Sequence, residues 1–209
     1  MLKAADLLTF DAIKHRPYWW DNADLPNLRA TGQAADIPDS VKTLIIGAGY
    51  SGLSAALTLA RAGRDVTVID SDMIGYGCSS RNGGQIGPSF HKLGVAGLTS
   101  AFGPAKAHEI LRESMQSLTY LKNLIVAENI DCDLQPNSGR FKGASRIVHY
   151  DEIARSNEDL AKSVGFQFEM VPKAQQSAYI GSDFYHGGAA YPEDGQLQPA
   201  RFVTGLARK

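Results

Sequence analysis

The stretch TLIIGAGYSGLSAAL, from Thr43 to Leu57, places Gly47, Gly49 and Gly52 at G-x-G-x-x-G spacing between an apolar run and a helix-forming one. So tight a turn needs backbone angles that glycine tolerates. The second glycine leaves room for a diphosphate to approach the main chain, and the third lets helix and strand pack closely. The helix N-terminus then aims free N–H groups and a positive dipole end at the phosphates. The same chemistry asks for an acid at the end of the next strand, to hold ribose hydroxyls. Asp70 stands there, eighteen positions after Gly52. The spacing supports dinucleotide binding; a glycine turn that holds nothing, with Asp70 capping the following turn, is the plainer alternative. Asp72 would repel a 2′-phosphate, which argues against NADP.

These residues need a scaffold, and the surrounding sequence supplies one. Val41–Ile46 reads as a strand and Tyr50–Ala62 as a helix, with Gly63 placed as a C′ residue. DVTVID follows as a second strand, completing a βαβ unit. Beyond the glycine-rich loop Gly75–Gly87, residues 103–130 form a long helical run, with Ile110, Leu111, Met115, Leu118, Leu121 and Leu124 near helical spacing. Residues 150–165 read as another helix, and LQPARFVTGLARK as a last one with Pro199 in its first turn. GRFKGASRIVHY, FQFEMV and SAYIG look β-like. Residues 1–40 read as an extended or turn-like arm because of their prolines. Tyr18, Trp19 and Trp20 are expected to pack that arm onto a body.

Composition narrows the classes. A hydrophobic content of 44% and a charged content of 21% are those of an ordinary globular protein. The net charge of −1 offers no basic footprint for nucleic acid. No apolar run approaches a membrane span, and the first residues make a poor signal peptide. Cys78 and Cys132 cannot build a disulfide framework, so the expected setting is cytoplasmic. His149 and His186 lack partners at metal-ligand spacing, so no metal site is expected, and no G-x-S-x-G elbow suggests a hydrolase. Cys78 reads as a small residue filling an Ala-like position, and His91 as a polar residue at a helix start.

The loop IGYGCSSRNGGQIGPSF, Ile74 to Phe90, separates two kinds of dinucleotide. A plain NAD-binding dehydrogenase domain would continue into another helix here, whereas small residues and glycines can run close against a flat ring or a phosphate. This chain resembles the FAD-dependent oxidoreductases of the D-amino-acid oxidase superfamily. The resemblance is greatest to the branch with gamma-glutamylputrescine oxidoreductase and glycine/sarcosine-oxidase-like enzymes. It rests on a G-x-G-x-S-x-R-N-G-G-Q pattern matched by Gly75, Gly77, Ser79, Arg81, Asn82, Gly83, Gly84 and Gln85, and on PYWWDN, NIDCDL and GQLQPARFVTGLA. By resemblance, Gly47, Gly49, Gly52 and Asp70 hold the ADP part of FAD. Ser79, Ser80 and Arg81 line the path from pyrophosphate to flavin, and Asn82, Gly83 and Gly84 lie near the isoalloxazine. Asp70 stands where Glu is more usual, Asp72 where a basic residue is common, and Ser80 where Gly is frequent.

The implied fold is α/β: a Rossmann-like FAD-binding domain with a βαβ start, and part of an α+β substrate-binding domain, truncated. The expected divisions are an arm over 1–40, a first FAD-binding segment over 41–98, a helical and partial substrate-binding region over 99–194, and a returning helix over 195–209. The implied reaction is oxidation of a C–N bond in a small-molecule amine or amino acid, with hydride passing to flavin N5; no catalytic side chain is named. A non-catalytic FAD-binding remnant or accessory chain is the rival, and an NAD-binding dehydrogenase domain is disfavoured by the Gly75–Gln85 loop. Strands missing from the sheet would leave edges open, so a complementing C-terminal chain is an expected partner.

Overall fold

The computed structural model describes residues 13–23 and 39–209. Most of the arm expected over 1–40 therefore lies outside the described residues. The chain divides into two compact units. One holds the described residues up to Gly83 together with Pro199–Lys209; the other is Gly84–Gln198. The division thus falls at Gly83/Gly84 and Gln198/Pro199.

In the first unit, β1 (Leu44–Ile46) and β2 (Thr67–Ile69) pair in parallel, with Leu44 opposite Thr67 and Ile46 opposite Ile69. Helix α1 (Tyr50–Arg61) connects them, rich in Ala and Leu, which lose little freedom in a helix. Its end is closed as expected. Gly63 N–H donates to the Ala60 carbonyl at 2.9 Å and Arg64 N–H to that of Leu59 at 3.0 Å, the paired bonds of a Schellman motif. Helix α4 (Pro199–Ala207) buries Phe202, Val203 and Leu206, and the ring of Phe202 meets that of Tyr50 at 5.2 Å. Parallel strands are normally covered on both faces, yet Ile46 is 80% exposed and β1 pairs only with β2 among the described residues.

The aromatic segment Tyr18–Asn22 is a 3-10 turn, the turn-like of the two conformations expected for the arm. Trp19 and Trp20 pack against the unit, but Tyr18 is 72% exposed, against expectation. Its phenol can stay in water while its ring edge meets Trp19 at 5.7 Å.

The second unit is built on an antiparallel sheet in the order β4 (Arg140–Gly143), β6 (Gly188–Tyr191), β5 (Glu169–Val171). A short ribbon joins β3 (Gln85–Ile86) to β7 (Gly195–Gln196). Helix α2 spans Gly94–Ala127 with a break at Gly103, ahead of Pro104. Proline drives its predecessor out of helical angles and then serves as a first helical residue, so the helix restarts there. Residues 94–102 extend the helix ahead of the expected run, where glycines give only a weak helical signal in the sequence.

Helix α3 (Ile147–Val164) absorbs the end of GRFKGASRIVHY, which is strand only up to Gly143. SAYIG is not β at all; it overlaps a 3-10 turn, Lys173–Ala178. The central strand, β6, lies outside the segments that look β-like in the sequence. All four residues of β6 are buried, and Gly-Ala-Ala-Tyr carries neither alternation nor β-branching.

Leu98, Leu111, Ile153, Leu160, Phe166 and Tyr191 lead the core of this unit. Asn157 Nδ2 donates to the Tyr191 hydroxyl at 3.4 Å. Burial holds the Tyr191 phenol above its ordinary pKa of 10.0, partly opposed by the Asn157 bond and the Arg140 charge. A raised folded pKa stabilises the fold at neutral pH and loses that contribution as pH climbs through it. Tyr191→Phe should cost about 1–3 kcal/mol at neutral pH, since it strands a buried amide. In urea melts the gap from wild type should narrow above about pH 10; a gap that widens there would contradict this account.

Candidate functional site

The glycine turn sits between β1 and α1, as its spacing requires. Gly47 has φ +105°, a value side chains resist, and its N–H donates to the Ile69 carbonyl at 2.7 Å. Gly52 lies in the first turn of α1. A Cβ there would collide with the Gly47 carbonyl oxygen and stand 3.2 Å from Ile45 Cγ2. The turn and the helix start are therefore locked together by backbone contact.

Asp70 follows β2 and faces this turn. Its Oδ2 accepts from Ala48 N–H at 2.6 Å and its Oδ1 from Asp72 N–H at 3.1 Å. The second acid also ties its own turn, Asp72 Oδ1 accepting from Met73 N–H at 2.8 Å. Residues 75–82 then fold back toward the turn. Gly75 N–H donates to the Ala48 carbonyl at 3.3 Å, and Ser79 Oγ accepts from Tyr50 N–H at 3.1 Å.

Two clefts result. One, of about 560 Å³, is lined by Gly47, Gly49, Tyr50, Ser51, Gly52 and Asn82, among others. The other, of about 310 Å³, is lined by Gly49, Asp70, Ser71, Asp72 and Tyr76, among others. Gly49, Cys78 and Ser79 belong to both. The volumes are those of ordinary ligand sites. The first-turn N–H groups of α1 have no carbonyl within the helix to bond; that of Tyr50 is taken by Ser79 Oγ, and Tyr50, Ser51 and Gly52 all line the larger cleft. A flexible, anionic diphosphate with a sugar attached fits this donor set: a helix N-terminus for the phosphates and a carboxylate in the adjoining cleft for hydroxyls.

The remaining sequence-predicted residues divide. Asn82 lines the larger cleft, and its Nδ2 donates to the carbonyls of Cys78 at 3.0 Å and Ser79 at 3.2 Å, so it also ties its own turn. Ser80 is fully buried, and its Oγ has no partner among the described residues. It lines neither cleft, because Gly75 and α4 close over it. Arg81 turns away too. Its Nε donates to the Tyr76 carbonyl at 2.9 Å and its guanidinium lies 4.5 Å over the Tyr76 ring. Gly83 closes the first unit and Gly84 opens the second. Tyr50 and Ser51 are cleft residues that the motif reading passed over; they occupy the variable positions of the glycine pattern, where residue type carries no signal.

Cys78 is exposed and Cys132 is buried. His91 and His149 are engaged locally, with Leu93 N–H and the Ser145 hydroxyl. No group of His, Cys, Asp or Glu among the described residues could hold a metal, and no described helix is long and apolar enough to cross a membrane.

Residues 42–209 match the model of the FAD dependent oxidoreductase family, DAO. The chain belongs to that family. Among similar family proteins is the probable oxidoreductase OrdL of Haemophilus influenzae, 31% identical over 165 residues, or 78% of this chain and 38% of that protein. Gamma-glutamylputrescine oxidoreductase of Escherichia coli is 28% identical over 163 residues, with the same coverages of 78% and 38%. In fold, the chain is similar to glycine oxidase from Geobacillus kaustophilus, with a TM-score of 0.64 at 22% identity over 80% of this chain and 43% of that one. The chain thus spans well under half the length of these relatives. The family's cofactor is FAD.

Proposed function

We propose that this chain is the FAD-holding part of an oxidoreductase acting on a C–N bond of an amine or amino acid. The observation that carries the reading is the pair of adjoining clefts, one on the N-terminus of α1 and one on Asp70, with Gly49 and Ser79 common to both. Gly47 and Gly49 would let the diphosphate lie against the main chain, and the Ser51 and Gly52 N–H groups would donate to it. Asp70 already accepts from two backbone donors, which hold its carboxylate in place to receive ribose hydroxyls. Ser79, now bonded to Tyr50 N–H, would turn its hydroxyl to a phosphate oxygen as that N–H is taken over. When bound, FAD supplies the hydride acceptor for the substrate carbon that bears nitrogen.

The substrate class is read from the family and from relatives that include gamma-glutamylputrescine oxidoreductase. A second reading has the chain hold the cofactor while a complementing chain carries turnover, and the open flank of β1, with Ile46 80% exposed and no strand but β2 beside it among the described residues, favours it. One experiment separates the two. The purified chain should take up FAD and turn yellow; anaerobic bleaching by gamma-glutamylputrescine, glycine or sarcosine supports the full activity, and colour without bleaching supports the second reading. A chain that binds no FAD at millimolar concentration sinks both.

A further inference from the structure

The loop 75–82 lines both clefts, yet its only regular structure is one 3-10 turn, Cys78–Ser80. What holds it from outside is the aromatic segment of the arm. Trp19 Nε1 donates to the Asn82 carbonyl at 2.7 Å, at the end of the loop. Trp20 meets the Tyr76 ring edge-on with centroids 5.8 Å apart, near its start. The Tyr76 hydroxyl donates to the His15 carbonyl at 3.2 Å, and Arg81 lies against the same ring.

The segment is itself braced. Pro17 is buried, Trp20 N–H donates to its carbonyl at 3.2 Å, and Asp21 pairs with Arg16 and with Lys14. Neither indole lines either of these two clefts, so any effect they have on a ligand held there must pass through the loop.

We propose that Trp19 and Trp20 are positioning residues for the cofactor, holding loop 75–82 so that Ser79 and Asn82 keep facing the glycine turn. The inference rests on the FAD reading above. A loop ordered in advance adds no ordering cost to binding, whereas a released loop must be ordered by the ligand, weakening affinity by about tenfold. The two indoles act differently. Trp19 works through its N–H as well as its ring. Trp20 Nε1 is buried with no acceptor among the described residues, so only its ring contributes.

The full chain with Trp19→Phe, Trp20→Phe and Trp20→Ala tests this. The expected result is FAD affinity about tenfold weaker in W19F and W20A, and within about twofold of wild type in W20F. Amide hydrogen exchange across residues 75–82 should speed up in W19F and W20A alone, with α1 unchanged. Trp19 and Trp20 are the chain's 2 tryptophans, so intrinsic fluorescence reports whether the segment has come away. Unchanged affinity and exchange in W19F would overturn the proposal, as would equal losses in all three variants, which mark general destabilisation. If the wild type fails to bind FAD, the reading of function falls. Exchange, which needs no cofactor, then decides the positioning role: faster loop exchange in W19F sustains it and unchanged exchange ends it.

Discussion

Gly52→Ala should cost the chain its cofactor. The new methyl group would strike the Gly47 carbonyl oxygen, a backbone atom that cannot swing aside, and would crowd Ile45 Cγ2 at 3.2 Å. The free chain can relieve this only by opening the turn, away from the shape a diphosphate needs. Closing it again falls wholly on binding. An inserted methyl without room costs about 1–3 kcal/mol, and the upper end of that range weakens affinity about a hundredfold.

Gly49→Ala should leave the free turn nearly undisturbed, because its Cβ would meet only Ser79 Oγ, at 3.0 Å, and a hydroxyl can rotate away. It should still weaken FAD binding, because the methyl group takes the space through which the diphosphate approaches the main chain. Gly181→Ala, in open space, serves as the control. Titration of FAD into each variant, followed by quenching of flavin fluorescence, gives the ranking. Wild-type affinity in Gly52→Ala would mean that the turn is not where the phosphates sit.

Arg140→Leu should be strongly destabilising to the second unit. Asp194 has a side chain 1% exposed, and its Oδ2 accepts from Arg140 Nε at 2.7 Å. Its Oδ1 has no partner among the described residues, and a Cβ on Gly87 would lie 2.6 Å from Oδ2. Removing the guanidinium therefore leaves a buried carboxylate with no side-chain donor, at a cost of about 3–5 kcal/mol.

Asp194→Asn should cost less, about 1–3 kcal/mol, because the Arg140 side chain is 36% exposed and water can hydrate what the aspartate releases. The guanidinium also keeps its place 4.8 Å over the Tyr191 ring. Urea melts of the two single variants and the double variant measure the asymmetry and the coupling between the sites. An Arg140→Leu midpoint close to wild type would show that Asp194 finds another donor.

The sequence alone determined the features that a few neighbouring residues settle among themselves. The turn at Gly47, Gly49 and Gly52, the Schellman end at Gly63 and the placing of Asp70 after β2 are local demands on backbone angle and spacing, and they are legible in the order of residues. Only the tertiary structure decided what depends on a distant partner. Arg81 suits phosphate by type, yet its guanidinium lies over Tyr76, whose ring is itself met by Trp20 from the arm. Ser80 matches the loop pattern but is buried beneath the approach of Gly75 and Val203. Strand β6 carries no pattern of its own; its small residues suit a central position because neighbours on both sides crowd it, as where a Cβ on Gly188 would run into the Lys142 carbonyl. Asp194 and Arg140 are 54 positions apart, and no periodicity announces such a pair. Backbone preference acts over a few residues and is written in them. The direction a long side chain takes is set by whichever surface folding brings beside it.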